Sequence, residues 1–171
     1  LIGFGDKKFS GLWTGINKFG VSVSSAYGPT RAVPNNHKSE NFEANEKVLR
    51  NCKTIEGAIV LYSELAKNLG FSFNVLIADS KYAINFEITT DDISIEEFDH
   101  IALKTNCFTK LEKYNEDNDK FHRSKARLEV LEELVPNIKS GEDLIQILKF
   151  HSEKNGYANV CRHDDMSTIA S

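Results

Sequence analysis

Three side chains in this sequence have thiol chemistry available to them: Cys52, Cys107 and Cys161. They are widely spaced and form no CxxC pair, so they support neither a zinc ribbon nor a disulfide framework. Free thiols in a reducing compartment are the simplest reading. Cys107 follows Asn106 near an expected strand end, a position that would suit a nucleophile if a base stood beside it. No base can be named from the sequence, and a small half-buried thiol is the favoured interpretation. His122, His151 and His163 are each isolated. The pairs Asp91-Asp92 and Asp164-Asp165 fall in expected loops, where adjacent acids are usually just solvated. There is no phosphate-cradling glycine loop, GxSxG elbow or HExxH helix.

The elements that would position these groups follow from the pattern. The chain has 171 residues, 40% of them hydrophobic and 27% charged. That suits a single domain over residues 1–171 and excludes a disordered chain. Twenty-one basic against 25 acidic residues give a formal net charge of −4, and the longest basic cluster is Lys7-Lys8. This argues against nucleic acid as a partner. No apolar run approaches the roughly 20 residues of a spanning helix, which argues against a membrane protein. Without a visible export signal, the expected location is cytoplasmic.

Two short strands are predicted around a turn at Asn17-Lys18-Phe19-Gly20, with Val21 and Val23 on one face and Ser22 and Ser24 on the other. Gly28-Pro29 stops the second strand, and residues 30–45 read as a polar surface loop. A helix is expected from Glu46 to about Cys52. A clearer one follows, capped by Thr54, with Ile55, Ala58, Ile59, Tyr62, Leu65, Ala66 and Leu69 along one stripe and Gly70 as the stop. Phe71–Ala78 and Tyr82–Ile88 flank the turn formers Asp79-Ser80-Lys81 and read as a hairpin. Short strands are expected at Ile93–Ile95 and Ile101–Leu103, and a loop over the acidic run Glu112–Asp119. Helices are predicted over Ser124–Val135, ended by Pro136, and after the capping box Ser140/Asp143. A terminal strand is expected near Thr168-Ile169. Runs of strands and helices in this order favour an α+β layered fold over βαβ winding.

Several segments match one family in order along almost the whole chain. Asn17–Ser25 resembles an N-x-x-G-(L/V)-(A/S)-(V/I) strand pair, and Cys52–Ile59 a C-x-(T/S)-(V/I)-E-E-A helix start. Asn74–Asp79 with Phe86-Glu87-Ile88 resembles N-x-L-(I/L)-A-D followed by (L/V)-E-(V/I). Thr105-Asn106 resembles the core of H-T-N-H, and Ser124–Leu128 resembles S-x-x-R-(L/Y). Val160–His163 with Thr168-Ile169 resembles I-C-R-H followed by T-(V/I). On these motifs the sequence resembles the acyl-coenzyme A:6-aminopenicillanate acyltransferase family. Those are N-terminal-nucleophile (Ntn) amide hydrolases and acyltransferases related to choloylglycine hydrolase and penicillin V acylase.

The resemblance implies a four-layer αββα sandwich, incomplete at both ends here, because the chain reads as an internal piece of a longer protein. In the family the nucleophile is a cysteine freed at the mature N-terminus by autocleavage, and its own α-amino group is the base, so no separate His is needed. None of Cys52, Cys107 and Cys161 matches that residue. The resemblance implies a cysteine amidase or acyltransferase acting on linear amide C–N bonds of a small-molecule acyl amide, with no cofactor and no metal. A homo-oligomer is compatible with it. Two site residues carry over: Asn106 as catalytic oxyanion donor and Tyr27 as a substrate-facing residue. Read without the family, Asn106 is a turn-capping residue and Tyr27 a half-buried aromatic. Lys104 and Cys107 depart from the two histidines of the family motif, and Arg162 and His163 match it without an assignable role. The competing reading is a non-catalytic domain that keeps the sandwich and binds a ligand or partner.

Overall fold

The computed structural model describes residues 1–5, 10–35, 41–151 and 159–161. They divide between two compact units, Leu1–Glu116 and Asp117–Ser171. In the first unit, six strands form one antiparallel sheet in sequence order: β1 (Ile2–Phe4), β2 (Thr14–Ile16), β3 (Ser22–Tyr27), β4 (Phe73–Ala78), β5 (Ala83–Ile88) and β6 (Ile93–Phe98). Helices α1 (Asn41–Asn51) and α2 (Ile55–Ala66) are inserted between β3 and β4.

The expected turn between β2 and β3 is built by Asn17. Its Oδ1 accepts from the backbone N–H of Phe19 and Val21, its own N–H donates to Val21 O, and Gly20 takes φ +86°. A side chain would resist that angle. The Asn17 amide also donates to Leu49 O at 3.1 Å and Cys52 O at 2.7 Å, satisfying carbonyls at the end of α1. The β4–β5 turn is fixed by Asp79, whose Oδ1 accepts from the N–H of Lys81 and Tyr82.

Strand alternation gives the sheet two unlike faces. Val21, Val23, Val75, Ile77, Ile84, Phe86 and Ile88 point to one side and are buried under the two helices. Ile55, Ala58, Tyr62 and Ala66 of α2 and Val48 and Leu49 of α1 complete this core. Thr54 caps α2 by accepting from Gly57 N, as the stripe requires. Ser22, Ser24, Asn74, Leu76, Asn85 and Glu87 stand on the reverse face, where Asn74 is paired directly opposite Glu87.

Several boundaries differ from expectation, and α2 ends at Ala66, short of Leu69 and the expected stop at Gly70. Helix α1 begins at Asn41, inside the stretch that reads as loop. Two of its inward residues there, Asn41 and Asn45, are polar and buried by hydrogen bonding, so the apolar period begun by Phe42 and Ala44 is masked. Asn45 donates to Leu12 O and Ser25 Oγ, while Asn41 donates to Ser25 Oγ and accepts from the Tyr62 hydroxyl. Strand β6 runs on to Phe98, and Ile101–Leu103 forms no strand. In the second unit, α3 (Asp119–Leu134) starts five residues before Ser124 because Asn118 caps it, accepting from Phe121 N. The Ser140/Asp143 box does open α4 (Gly141–Leu148), with Asp143 N donating to Ser140 Oγ and Ser140 Oγ to Asp143 Oδ2. Leu128 is buried, whereas Leu144 and Ile145 stay exposed.

The organisation is α+β. The described residues supply one sheet and one helix layer of the expected αββα sandwich, and a second sheet is not among them. Among the described residues no helix is long and apolar enough to cross a membrane. The expected terminal strand lies outside the described residues.

Candidate active site

The stretch Ile101–Leu111 carries Asn106, and it is irregular backbone fastened to the polar face of the sheet. Each fastening starts from a strand residue that the β period turns to this face. Asn74 on β4 donates through Nδ2 to Thr105 O and Cys107 O, both at 3.0 Å, and its Oδ1 accepts from Asn85 Nδ2 at 3.3 Å. Glu87 on β5, only 1% exposed, accepts from three successive backbone N–H groups, those of Thr109, Lys110 and Leu111, each at 2.8 Å. It also accepts from Thr109 Oγ1 at 2.9 Å and Lys104 Nζ at 3.3 Å. Burial alone would raise the Glu87 pKa. The backbone amides and the Thr109 hydroxyl outweigh it and hold the carboxyl below the usual glutamate range.

Lys104 lies under the loop with its side chain 5% exposed, and it bridges Glu87, Glu96 Oε2 at 2.9 Å and Thr109 Oγ1 at 2.7 Å. It therefore serves as the counter-charge of a buried carboxylate. Asn115 clamps the next residue, accepting from Phe108 N at 2.9 Å and donating to Phe108 O at 2.8 Å. The Phe108 ring in turn fills the space beside Gly28: a Cβ there would lie 2.9 Å from Phe108 Cε1. Glycine at this strand end lets the loop approach β3 closely.

The two residues carried over from the family meet at this point, through backbone on one side. Asn106 is half-buried, and its Nδ2 donates to Tyr27 O at 2.7 Å. The Tyr27 ring follows the alternation of Val21 and Val23. It stands edge-on to Phe73, 5.8 Å between centroids, at the rim of the helix-covered face, and remains 50% exposed. Asn106 sits in this loop, well past the end of β6, and is not at the end of a central strand as the alternation of Ile101-Ala102-Leu103 suggests.

Other chemistry-bearing residues have different surroundings. Cys107 is buried, and its Sγ lies 3.4 Å from Thr105 Oγ1, a hydroxyl that cannot take up a thiol proton. Cys52 is buried in the helix-side core, where desolvation pushes its pKa up, away from thiolate formation. Asp91 and Asp92 belong to the β5–β6 turn, where both N–H groups donate to Thr89 Oγ1, and Asp92 pairs with Lys113 at 3.1 Å. His122 forms an exposed pair with Asp117. Ser124 and Arg127 of the S-x-x-R motif are both buried on α3. Arg162, His163 and the Asp164-Asp165 pair lie outside the described residues.

In the sequence Asn74 and Glu87 stand in two of the motif segments, which carry no sign of what these side chains hold. Their partners are backbone groups about 20–35 residues away in a loop, and backbone groups leave no signature in a sequence.

Residues 4–170 match the family profile of acyl-coenzyme A:6-aminopenicillanic acid acyl-transferase. The chain belongs to that family. Among solved structures, a variant of conjugated bile acid hydrolase from Clostridium perfringens is similar at 12% identity and a TM-score of 0.44, over 85% of this chain and 61% of that one. The chain thus spans less than two thirds of that hydrolase's length. No curated protein matches it.

Proposed function

We propose that the protein containing these residues is an Ntn-type cysteine amidase or acyltransferase that cleaves linear amide C–N bonds of small acyl substrates, with Asn106 as an oxyanion donor. Family membership supports the reaction class. The observation that carries the assignment of Asn106 is its bond to Tyr27 O at 2.7 Å from a loop pinned on both flanks. A planar amide with one N–H fixed has the direction of its second N–H fixed as well. A donor set in advance at developing negative charge needs no reorganisation during the reaction. Tyr27, exposed at the same strand end, is the proposed substrate contact.

The two units are read as parts of one family domain, because the match runs through both. A cytoplasmic setting fits the buried free thiols of Cys52 and Cys107.

The test is turnover by the full-length protein on a panel of N-acyl amides, with water and with amines as acceptors, and acyl-coenzyme A as an alternative donor. Asn106→Ala is expected to lower kcat by roughly 10²–10³ with little change in thermal stability. Unchanged turnover would remove Asn106 from the mechanism. Binding of acyl amides without cleavage by the full-length protein would favour the non-catalytic domain.

A further inference from the structure

We propose that Asn74 is a positioning residue for Asn106, acting on the backbone at both of its flanks; the proposal rests on the reading of Asn106 as an oxyanion donor. Thr105 C=O belongs to the same peptide group as the Asn106 N–H, and Cys107 C=O lies one residue beyond Asn106. Both carbonyls accept from the single amide of Asn74, at 3.0 Å each. The backbone from the Thr105 carbonyl to the Cys107 carbonyl, with Asn106 at its centre, is therefore anchored at both ends to the same atom of a central strand. This anchor sits in the sheet between β3 and β5, where a strand is least able to shift.

The orientation of the Asn74 amide is dictated by chemistry. Two carbonyls require the NH2 end, and the Oδ1 end meets Asn85 Nδ2 at 3.3 Å. Asn85 is fully buried, and among the described residues its own Oδ1 has no hydrogen-bond partner. Leaving an acceptor unpaired in the interior destabilises the fold, and an aliphatic residue at 85 would avoid it. A buried Asn kept there at a loss in stability is explained if its function is to orient Asn74.

Farther along the loop, Glu87 fixes Thr109–Leu111. These bonds stop the loop from drifting along the sheet, but they lie three or more residues from Asn106. Asn74 acts on the immediate neighbours of Asn106, Thr105 and Cys107. A displacement of a transition-state donor by about 1 Å is enough to cost on the order of 10²-fold in rate. Loss of the Asn74 amide is therefore read in kcat more than in KM.

A double-mutant cycle on the full-length enzyme tests this, using the acyl amide that the wild type turns over fastest. Asn74→Ala is expected to lower kcat by about 10–100-fold while KM stays within about threefold. Placed on top of Asn106→Ala, it should lower kcat no further, because its effect passes through a side chain already absent. If Asn106→Ala lowers kcat and Asn74→Ala either does not, or lowers it equally in both backgrounds, the proposal is overturned while the role of Asn106 stands. If Asn106→Ala has no effect, it is the functional reading that fails. Should Asn74→Ala lose its far-UV circular dichroism, Asn74→Ser carries the cycle, since a hydroxyl is too short to bridge both carbonyls. Asn85→Ser gives a second arm, with a smaller loss of kcat that also vanishes in the Asn106→Ala background.

Discussion

Phe86 and Glu87 are neighbours on β5, both almost fully buried, and they point to opposite faces of the same sheet. Phe86 packs under α2 with its ring 5.1 Å from that of Tyr62, in a core of branched and aromatic side chains. Glu87 faces a loop and is satisfied by backbone N–H groups, a hydroxyl and a lysine. The apolar side tolerates many hydrophobic sequences of similar volume, since dispersion and water exclusion have little direction. The polar side tolerates few, because each bond needs a particular atom at a particular place. One face makes the fold stable, and the other fixes the course of a segment that has no secondary structure of its own.

The largest effect should come from emptying the apolar side. Phe86→Ala removes a ring from a core with no exposed boundary and is expected to cost about 3–5 kcal/mol. Denaturant unfolding checks this through a lowered midpoint at unchanged slope. A loss below about 1 kcal/mol would mean that the two helices do not form one packed core with this face.

Glu87→Gln is the matched experiment on the other side. The amide keeps the shape, but it can accept through only one oxygen and turns an NH2 towards backbone donors. The expected loss is about 1.5–3 kcal/mol, the range for hydrogen bonds to a charged group. It should be accompanied by faster exchange of the Thr109, Lys110 and Leu111 amides while the amides of α2 stay protected. Uniform loosening of both faces would break the contrast drawn between them.

Acid should sharpen the same contrast. The folded pKa of Glu87 lies below its unfolded value, since the backbone amides and the Thr109 hydroxyl outweigh the effect of burial. Its stabilisation is then complete above the unfolded value of about 4.3 and is lost as pH falls through the folded pKa. Glu96 is also held low, because Lys104 and Lys110 outweigh its desolvation, and it faces the same lysine. Wild type should therefore lose stability below about pH 4 faster than Glu87→Gln does, the remainder being Glu96 and other carboxylates. Parallel curves for the two proteins would remove Glu87 as the acid-sensitive group.

The same division explains what could be read from the sequence. The helix stripe from Ile55, the Val21/Val23 alternation, the Asp79 turn and the caps at Thr54 and Ser140 are local patterns, and all are present in the structure. The start of α1 was not legible because two of its inward residues, Asn41 and Asn45, are polar and interrupt the core-facing Phe42 and Ala44, being buried through hydrogen bonds to distant partners. Lys104 reads as a departure from a motif because its partners Glu87 and Glu96 lie on two strands and are meaningful only once those strands pair. Asn106 is a candidate through the family motif, and Asn74 and Glu87 stand in motif segments too, but neither segment indicates that these two side chains hold the Asn106 loop.

The smallest effect serves as the control for the others. Thr54 is exposed, and its hydroxyl accepts from Gly57 N at 3.2 Å to cap α2 on the side away from the polar face. Thr54→Ala removes one cap without opening a cavity or leaving a charge unpaired, and an N-cap of this type contributes about 1 kcal/mol. The bond lies within the helix layer and touches neither Asn74 nor Glu87. Thermal unfolding should therefore show a modest fall in Tm, with exchange at Thr109–Leu111 and the kcat of the full-length protein unchanged. If Thr54→Ala lowered kcat as much as Asn74→Ala does, activity would be following global stability. The distinction between a stabilising face and a positioning face would then fail at its weakest perturbation, where a change in loop geometry has no structural route from the cap.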